Sequence, residues 1–255
     1  MFSAPAEAYD AFMGGYSRLL APPFVEFVAV DAGQRIIDVG CGPGALTEVL
    51  AAVVGPTSTC AADPSPGFVA ACASRVPGAD VRVAPAEALP WGDASFDAAL
   101  AQLVFAFVGD PPHGLAEMCR VVKPGGVVAA CTWDLDEMAM LRRFWDAALV
   151  LQPAAPAEGS ATRFANRRDI EELWRSGSLA DVAVEPIDVE REYVDFDAYW
   201  QPFLAGIGPA GAYCVALDDD ARDALREECR RQLGAPEGSF TLPARAWAVR
   251  GRLSS

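Results

Sequence analysis

The 255-residue chain has a single histidine, His113, and none of its seven cysteines forms a C-x-x-C pair. Cys41, Cys60, Cys72, Cys119, Cys131, Cys214 and Cys229 are scattered along it. A zinc site of Cys and His ligands is therefore not expected, and no other metal site is read. Several of these thiols sit in apolar, strand-like runs, where Cys behaves as a small hydrophobe. A reducing cytoplasm suits them. Basic runs are missing as well: Arg142-Arg143, Arg167-Arg168 and Arg230-Arg231 are isolated pairs, read as solvated helix faces. With a formal net charge of −15 and a pI near 4.4, a non-specific grip on nucleic acid is not expected. The opening "MFSAPAEAYDAFMGGYSRLL" has no basic segment followed by a long apolar one, so no signal peptide is expected. No apolar stretch has the length needed to insert in a membrane.

What remains is rich in core-forming residues. The chain is 52% hydrophobic, with 22 Gly and 20 Pro, enough for one large domain or a domain with a cap. Residues 7–30 read as one or two amphipathic helices interrupted at Gly14-Gly15 and Pro22-Pro23. From Arg35 strand-like and helix-like runs alternate: "RIIDV", "TSTCAAD", "DVRVA", "FDAALAQLVFAF" and "GGVVAACTW" as strands, with helices between most of them. Lys123-Pro124-Gly125-Gly126 reads as the turn before the fifth strand. This alternation predicts βαβ units in a parallel sheet, with ligands at the carboxyl ends of the strands. After Trp133 come the helices "DEMAMLRRFWDAALVL" and "RRDIEELWRSG", the loop "QPAAPAEGSATRFAN", and two late strands, "VAVEPIDVEREYV" and "FTLPARAWAVRG". Helical runs from about Phe196 to Leu233 lie between those strands.

The predicted fold is α/β: a Rossmann-like, seven-stranded, mostly parallel sheet with helices on both faces and a small helical cap. Residues 1–34 would cover the site, 35–135 bind a cofactor, and 136–255 complete the sheet and supply the substrate cap, all within one compact domain.

The chemistry gathers at "IIDVGCGPG". Gly40-x-Gly42-x-x-Ala45 satisfies a relaxed dinucleotide fingerprint, with Asp63 where a ribose-binding acid belongs. That pattern alone leaves an NAD-dependent oxidoreductase open. Asp38, two residues before the first glycine, suits a positively charged ligand and is awkward beside a pyrophosphate. An oxidoreductase would also want a Tyr-x-x-x-Lys pair or a placed histidine, and neither is suitably positioned.

Taken together, "IIDVGCGPG", "AADPS", "AEALPW…SFDAAL" and "EMCRVVKPGG" resemble the motifs of class I S-adenosylmethionine-dependent methyltransferases. The likeness is strongest to the small-molecule type that includes ubiquinone/menaquinone-biosynthesis methyltransferases, and it spans roughly residues 35–135 in order and spacing. It implies S-adenosylmethionine as cofactor, S-adenosylhomocysteine as product, and a small, hydrophobic or aromatic acceptor methylated in line. It places Asp38, Gly40, Cys41, Gly42 and Gly44 at the amino-acid tail, Asp63 on the ribose and Pro64 as a wall for the adenine. Ala86, Glu87, Gln102 and Leu103 would complete the cofactor site, while Tyr16 or Arg18 would reach it from the N-terminal helix. A departure stands at Pro85, where many relatives carry an acid for the adenine amine; Glu87 is the candidate substitute. His113 is the one imidazole available as a base, though the start of a helix is the plainer role for it. Phe105, Phe107, Trp133, Trp145, Tyr199, Trp200 and Phe203 are aromatics beyond the strand ends. As a stripe they read as core, and Trp133 is the strongest pocket candidate. A non-catalytic cofactor-binding protein is the remaining alternative, and oligomeric state is left open.

Overall fold

Ile36–Val39 (β1) and Thr59–Asp63 (β2) are buried at every position, the pattern of strands covered on both faces. In the computed structural model, which describes residues 10–155, 164 and 166–254, they are adjacent inner strands of a seven-stranded sheet. The other strands are Asp80–Val83 (β3), Phe96–Gln102 (β4), Val122–Trp133 (β5), Leu179–Tyr193 (β6) and Phe240–Leu253 (β7). Their order is β3-β2-β1-β4-β5-β7-β6, with β7 antiparallel to both neighbours and the other pairs parallel. The chain reverses beside β1, between β1 and β4, so the carboxyl ends there open a crevice.

Alternation of side chains sorts the core into two layers. Ile36, Leu100, Cys131 and Trp133 face helices Gly15–Val28 (α1), Ala45–Val54 (α2) and Ala139–Leu151 (α5). Ile37, Ala99 and Val128 face Pro111–Val121 (α4) and Arg167–Ser176 (α6). Helix Pro66–Arg75 (α3) packs on the β2 side, where Cys72 meets Cys41 and Ala61. Helices Phe196–Trp200 (α7), Gly208–Ala216 (α8) and Asp219–Gln232 (α9) are all strung between β6 and β7. They form the expected cap, and their aromatics stack on α5: the Phe144 and Phe203 rings lie 4.5 Å apart and nearly parallel.

Three sequence expectations are corrected. Pro22 and Pro23 do not interrupt the first helix, which runs through both. Pro22 sits on its exposed side, and the break comes instead as a π-helical turn at Asp10–Gly14. The fourth strand ends at Gln102 instead of continuing through "LVFAF". Leu103 takes a φ of +64° and the chain turns into a single 3-10 turn at Phe105–Phe107. Lys123–Gly126 bulges within β5, with Phe96 opposite Val122 but Ala98 opposite Val127. Within the loop "QPAAPAEGSATRFAN", residues 156–163 and 165 lie outside the described residues, as do 1–9 of the N-terminal segment.

Candidate active site

The chain leaves β1 through a turn whose first two amides, Gly40 and Cys41 N–H, both donate to the Ala62 carbonyl, at 2.7 and 2.9 Å. Its three glycines serve different needs, although all have positive φ. A Cβ on Gly40 would lie 2.5 Å from the Val104 side chain, and one on Gly44 would lie 3.0 Å from Cys72 Sγ and 3.2 Å from Cys72 Cα. Only at Gly42 would a Cβ meet nothing within 4 Å. The expectation that all three glycines clear space for a ligand is corrected at Gly44, which makes room for Cys72; Gly40 and Gly42 both line the cleft, and a Cβ on Gly40 would also meet the cleft-wall residue Val104.

Asp63, at the tip of β2, holds this turn in place. Its Oδ2 accepts from Gly42 N–H at 3.0 Å and its Oδ1 from Ser65 N–H at 2.8 Å. The helix-cap role belongs to Ser65, whose Oγ accepts from Phe68 N–H. Burial raises the Asp63 carboxyl's pKa, opposed by those two N–H donors. Each carboxylate oxygen keeps a second lone pair for a ligand hydroxyl.

The cleft encloses about 470 Å³, within the usual range for a small-molecule site. Gly40, Gly42, Asp63 and Pro64 line one side; Ala86, Glu87, Gln102 and Leu103 line the other, with Phe107 at the rim. Phe68, Pro85, Val104 and Val108 make much of the remaining wall apolar; of these, the sequence had pointed to Pro85 alone. Glu87 Oε1 accepts from both Gly109 and Asp110 N–H, at 3.0 and 3.1 Å. One of its oxygens is therefore committed to the loop that follows Phe107.

Behind the turn lies Asp38, only 1% exposed. Its Oδ2 accepts from Thr47 Oγ1 at 2.6 Å, while Oδ1 is buried with no partner. Burial, opposed by the Thr47 bond and reinforced by the charge of Asp63, pushes its pKa up to about 7. Cys41 is likewise behind the cleft, its thiol hydrogen-bonded to Cys72 and its pKa raised by that bond and by burial. Gln102 Nε2 donates to the Ser17 carbonyl at 3.0 Å, pinning α1 to the sheet, and its Oε1 is buried without a partner.

Several predicted residues fall elsewhere. Tyr16 is fully buried; its hydroxyl donates to the Leu242 carbonyl and accepts from Tyr193 OH. Arg18, with 47% of its side chain exposed, pairs with Asp10, which also holds Arg75 at 2.6 Å. Neither Tyr16 nor Arg18 lines the cleft. Phe105 is buried against Trp174 on the opposite sheet face, because the turn after Leu103 carries it under α6. Tyr199 donates to the Met140 carbonyl, and Trp200, Phe203 and Trp145 are packed in the cap core. These four anchor the cap instead of lining a pocket. Trp133 is buried in that same core, edge-on to Tyr16 with ring centroids 6.0 Å apart. His113 is exposed in the first turn of α4, and its backbone N–H is capped by Asp110. It does not line the cleft.

Strand order, the final antiparallel pair and a glycine turn braced by the acid of β2 together define a Rossmann-like fold of the class I methyltransferase kind. Residues 37–130 match the family described as a methyltransferase domain. The chain is 29% identical over 191 residues to a malonyl-[acyl-carrier protein] O-methyltransferase of Methylococcus capsulatus, covering 73% of this chain and 63% of that protein. It is 34% identical over 164 residues to a demethylmenaquinone methyltransferase of Clavibacter sepedonicus, covering 62% and 65%. The chain thus spans under two thirds of the length of these relatives. Among solved structures, phosphoethanolamine N-methyltransferase 2 of Haemonchus contortus, in complex with S-adenosylhomocysteine, aligns with a TM-score of 0.58 at 17% identity. That alignment covers 98% of this chain and 57% of that one, and it bears on fold alone. The sequence-level resemblance and the predicted fold are borne out. Among the described residues no cluster of side chains fits a metal ion, and no helix is long and apolar enough to cross a membrane.

Proposed function

We propose that this protein is an S-adenosylmethionine-dependent methyltransferase acting on a small, hydrophobic or aromatic acceptor. The observation that carries the reading is Asp63 bracing Gly42, where an added Cβ would meet no protein atom within 4 Å, at the edge of the cleft, with the orphaned Asp38 oxygen behind the turn. Those features fit the cofactor. The remaining lone pairs of Asp63 suit a ribose diol, and Pro64 and Phe68 offer apolar surface for an adenine. Asp38 Oδ1 and Gln102 Oε1 are both acceptors in need of a donor, which an ammonium group supplies.

The bound cofactor would contribute an activated methyl group on a sulfonium; the chain contributes alignment and dryness. Holding two reactants in line is worth ~7–11 kcal/mol in favourable cases. A largely apolar wall keeps water from the reacting atoms. No protein nucleophile is required, and the exposed His113 is not retained as a base. An acceptor with its own acidic proton needs little help to ionise. The two relatives carry names for different acceptors, so acceptor identity must come from residues particular to this chain. An oxidoreductase is not favoured.

Calorimetry with S-adenosylmethionine, S-adenosylhomocysteine and NADH tests the reading. Micromolar binding of the first two is expected; binding of NADH alone overturns it. Incubation of methyl-labelled cofactor with the protein and cell extract then separates turnover from mere binding, since a labelled small molecule appears only in the first case.

A further inference from the structure

The polar groups around the cleft divide it by chemistry. Near the glycine turn, Asp38 Oδ1 and Gln102 Oε1 are buried acceptors without partners, which suit the cofactor's ammonium. At the tip of β2, the Asp63 carboxylate suits the ribose diol. Beyond Asp63 the sheet continues to its edge strand, β3. Val83 is in register with Asp63, and Ala84 N–H donates to the Asp63 carbonyl at 3.1 Å. Residues 85–87 therefore stand beside Asp63 on the side away from β1. A purine whose sugar rests on Asp63 reaches them with its edge farthest from that sugar. In adenine this edge carries the 6-amino group.

The walls at this end suit the faces of a flat ring. Pro64 and Phe68 line it from the segment after β2, and Phe107 and Val108 from the segment after β4. The edge is differently made. An amine donates, so reading it takes an acceptor. Pro85 has no polar side-chain atom, and its carbonyl accepts from Ala88 N–H at 3.1 Å. Ala86 supplies an N–H with no acceptor among the described residues, a donor that suits a ring nitrogen and not an amine. Glu87 is the one carboxylate lining this end, and its Oε1 is taken by the Gly109 and Asp110 amides. Pro85 is also exposed, so the purine edge beside it meets the rim of the cleft and not a sealed wall.

We infer that this cleft holds the cofactor's purine by its faces and leaves the 6-amino group unread, with Pro85 as the residue that sets this loose specificity. The inference rests on the methyltransferase reading and widens the class of cofactor the site takes, to S-adenosyl compounds altered at the 6-position. A site built to hydrogen-bond a polar group rejects an analogue lacking that group by orders of magnitude, because its own partner is left unpaired. Here there is no dedicated partner to strand.

The test is calorimetry on the full chain with S-adenosylhomocysteine and a pair of its analogues. One analogue carries hydrogen in place of the 6-amino group, and the other a methylamino group. We expect the wild-type dissociation constants to agree within about threefold across these ligands. Pro85→Asp places an acceptor at the edge. That variant should favour S-adenosylhomocysteine over the 6-hydrogen analogue by about tenfold or more, as a hydrogen bond to a charged group does. A wild-type loss of about tenfold or more with either analogue overturns the inference. A folded Pro85→Asp that binds S-adenosylhomocysteine and still ignores the 6-position overturns the role given to Pro85. If that variant does not fold, the wild-type comparison decides alone. Failure of wild type to bind S-adenosylhomocysteine at all overturns the methyltransferase reading beneath, before any analogue is compared.

Discussion

Asp63 and Gly42, separated by 21 positions in sequence, share a 3.0 Å hydrogen bond that makes the acid at the end of β2 a brace for the turn at the end of β1. One carboxylate thereby shapes the cleft and also faces into it. Asp63→Ala should lose both functions. Calorimetry should show at least a tenfold loss of S-adenosylhomocysteine affinity, and thermal melts a stability loss of about 1.5–3 kcal/mol, as expected for hydrogen bonds to a charged group. Affinity unchanged in that variant would remove the central support for the cofactor site.

The glycines of the turn should separate by assay. Gly44→Ala combines left-handed strain of about 1–2 kcal/mol with a collision against Cys72 and should mainly lower the melting temperature. Gly42→Ala has room for its methyl group within the protein, so its stability cost should stay near 1 kcal/mol. Its S-adenosylhomocysteine affinity should nonetheless fall tenfold or more, because the methyl group projects where the ligand lies. Equal affinities for wild type and Gly42→Ala would mean that the backbone is not approached there.

Asp38 predicts a pH dependence of definite sign. In the fold its pKa is raised to about 7 from an ordinary 3.8, so the folded chain holds a proton that the unfolded chain has released. Its contribution to stability is fully present below about pH 4 and is lost as pH rises to about 7, at most about 4 kcal/mol in all. The stability of wild type relative to Asp38→Asn should fall across that window and level off above it. Parallel curves would show that another group titrates. The ammonium group of the cofactor's amino-acid tail favours the ionised acid, so S-adenosylhomocysteine should bind more tightly at pH 8 than at pH 6, and Asp38→Asn should flatten that difference.

Glu87 offers a test by conservative exchange. If its work is to clasp the Gly109 and Asp110 amides, the Glu87→Gln amide oxygen can still accept from them and cofactor affinity should be nearly kept. Glu87→Ala should lose several-fold, because the loop behind Phe107 is released. Equal losses in both variants would instead indicate that the carboxylate charge itself contacts the ligand.

Much of this architecture could be read from local pattern. The β1 and β2 runs, largely apolar up to their acids at 38 and 63, and Ser65-Pro66 opening α3 are written in short windows where period and turn chemistry suffice. Other features depended on partners distant in sequence. Nothing near Gly44 announces that its missing Cβ makes room for Cys72, and nothing in "AEALP" announces that Glu87 clasps residues 109 and 110. The continuous helix through Pro22-Pro23 is tertiary packing prevailing over local preference. Tyr16, Leu20, Phe24 and Val28 bury one face of it against the sheet, while Pro22 lies on the side exposed to water. The aromatics misled for a related reason. Tyr199, Trp200 and Phe203 have the composition of a binding pocket, but only the sheet order shows that they pack on α5 and build the cap itself.

Residues 194–239 leave and rejoin the sheet between Tyr193 and Phe240, register partners whose rings stack 5.4 Å apart. The whole insertion is thus a hairpin tip enlarged into a helical module and stapled at its base by two aromatic rings. Such an attachment lets evolution, or an engineer, exchange the module as a cassette while the machinery around residues 38–63 keeps its geometry.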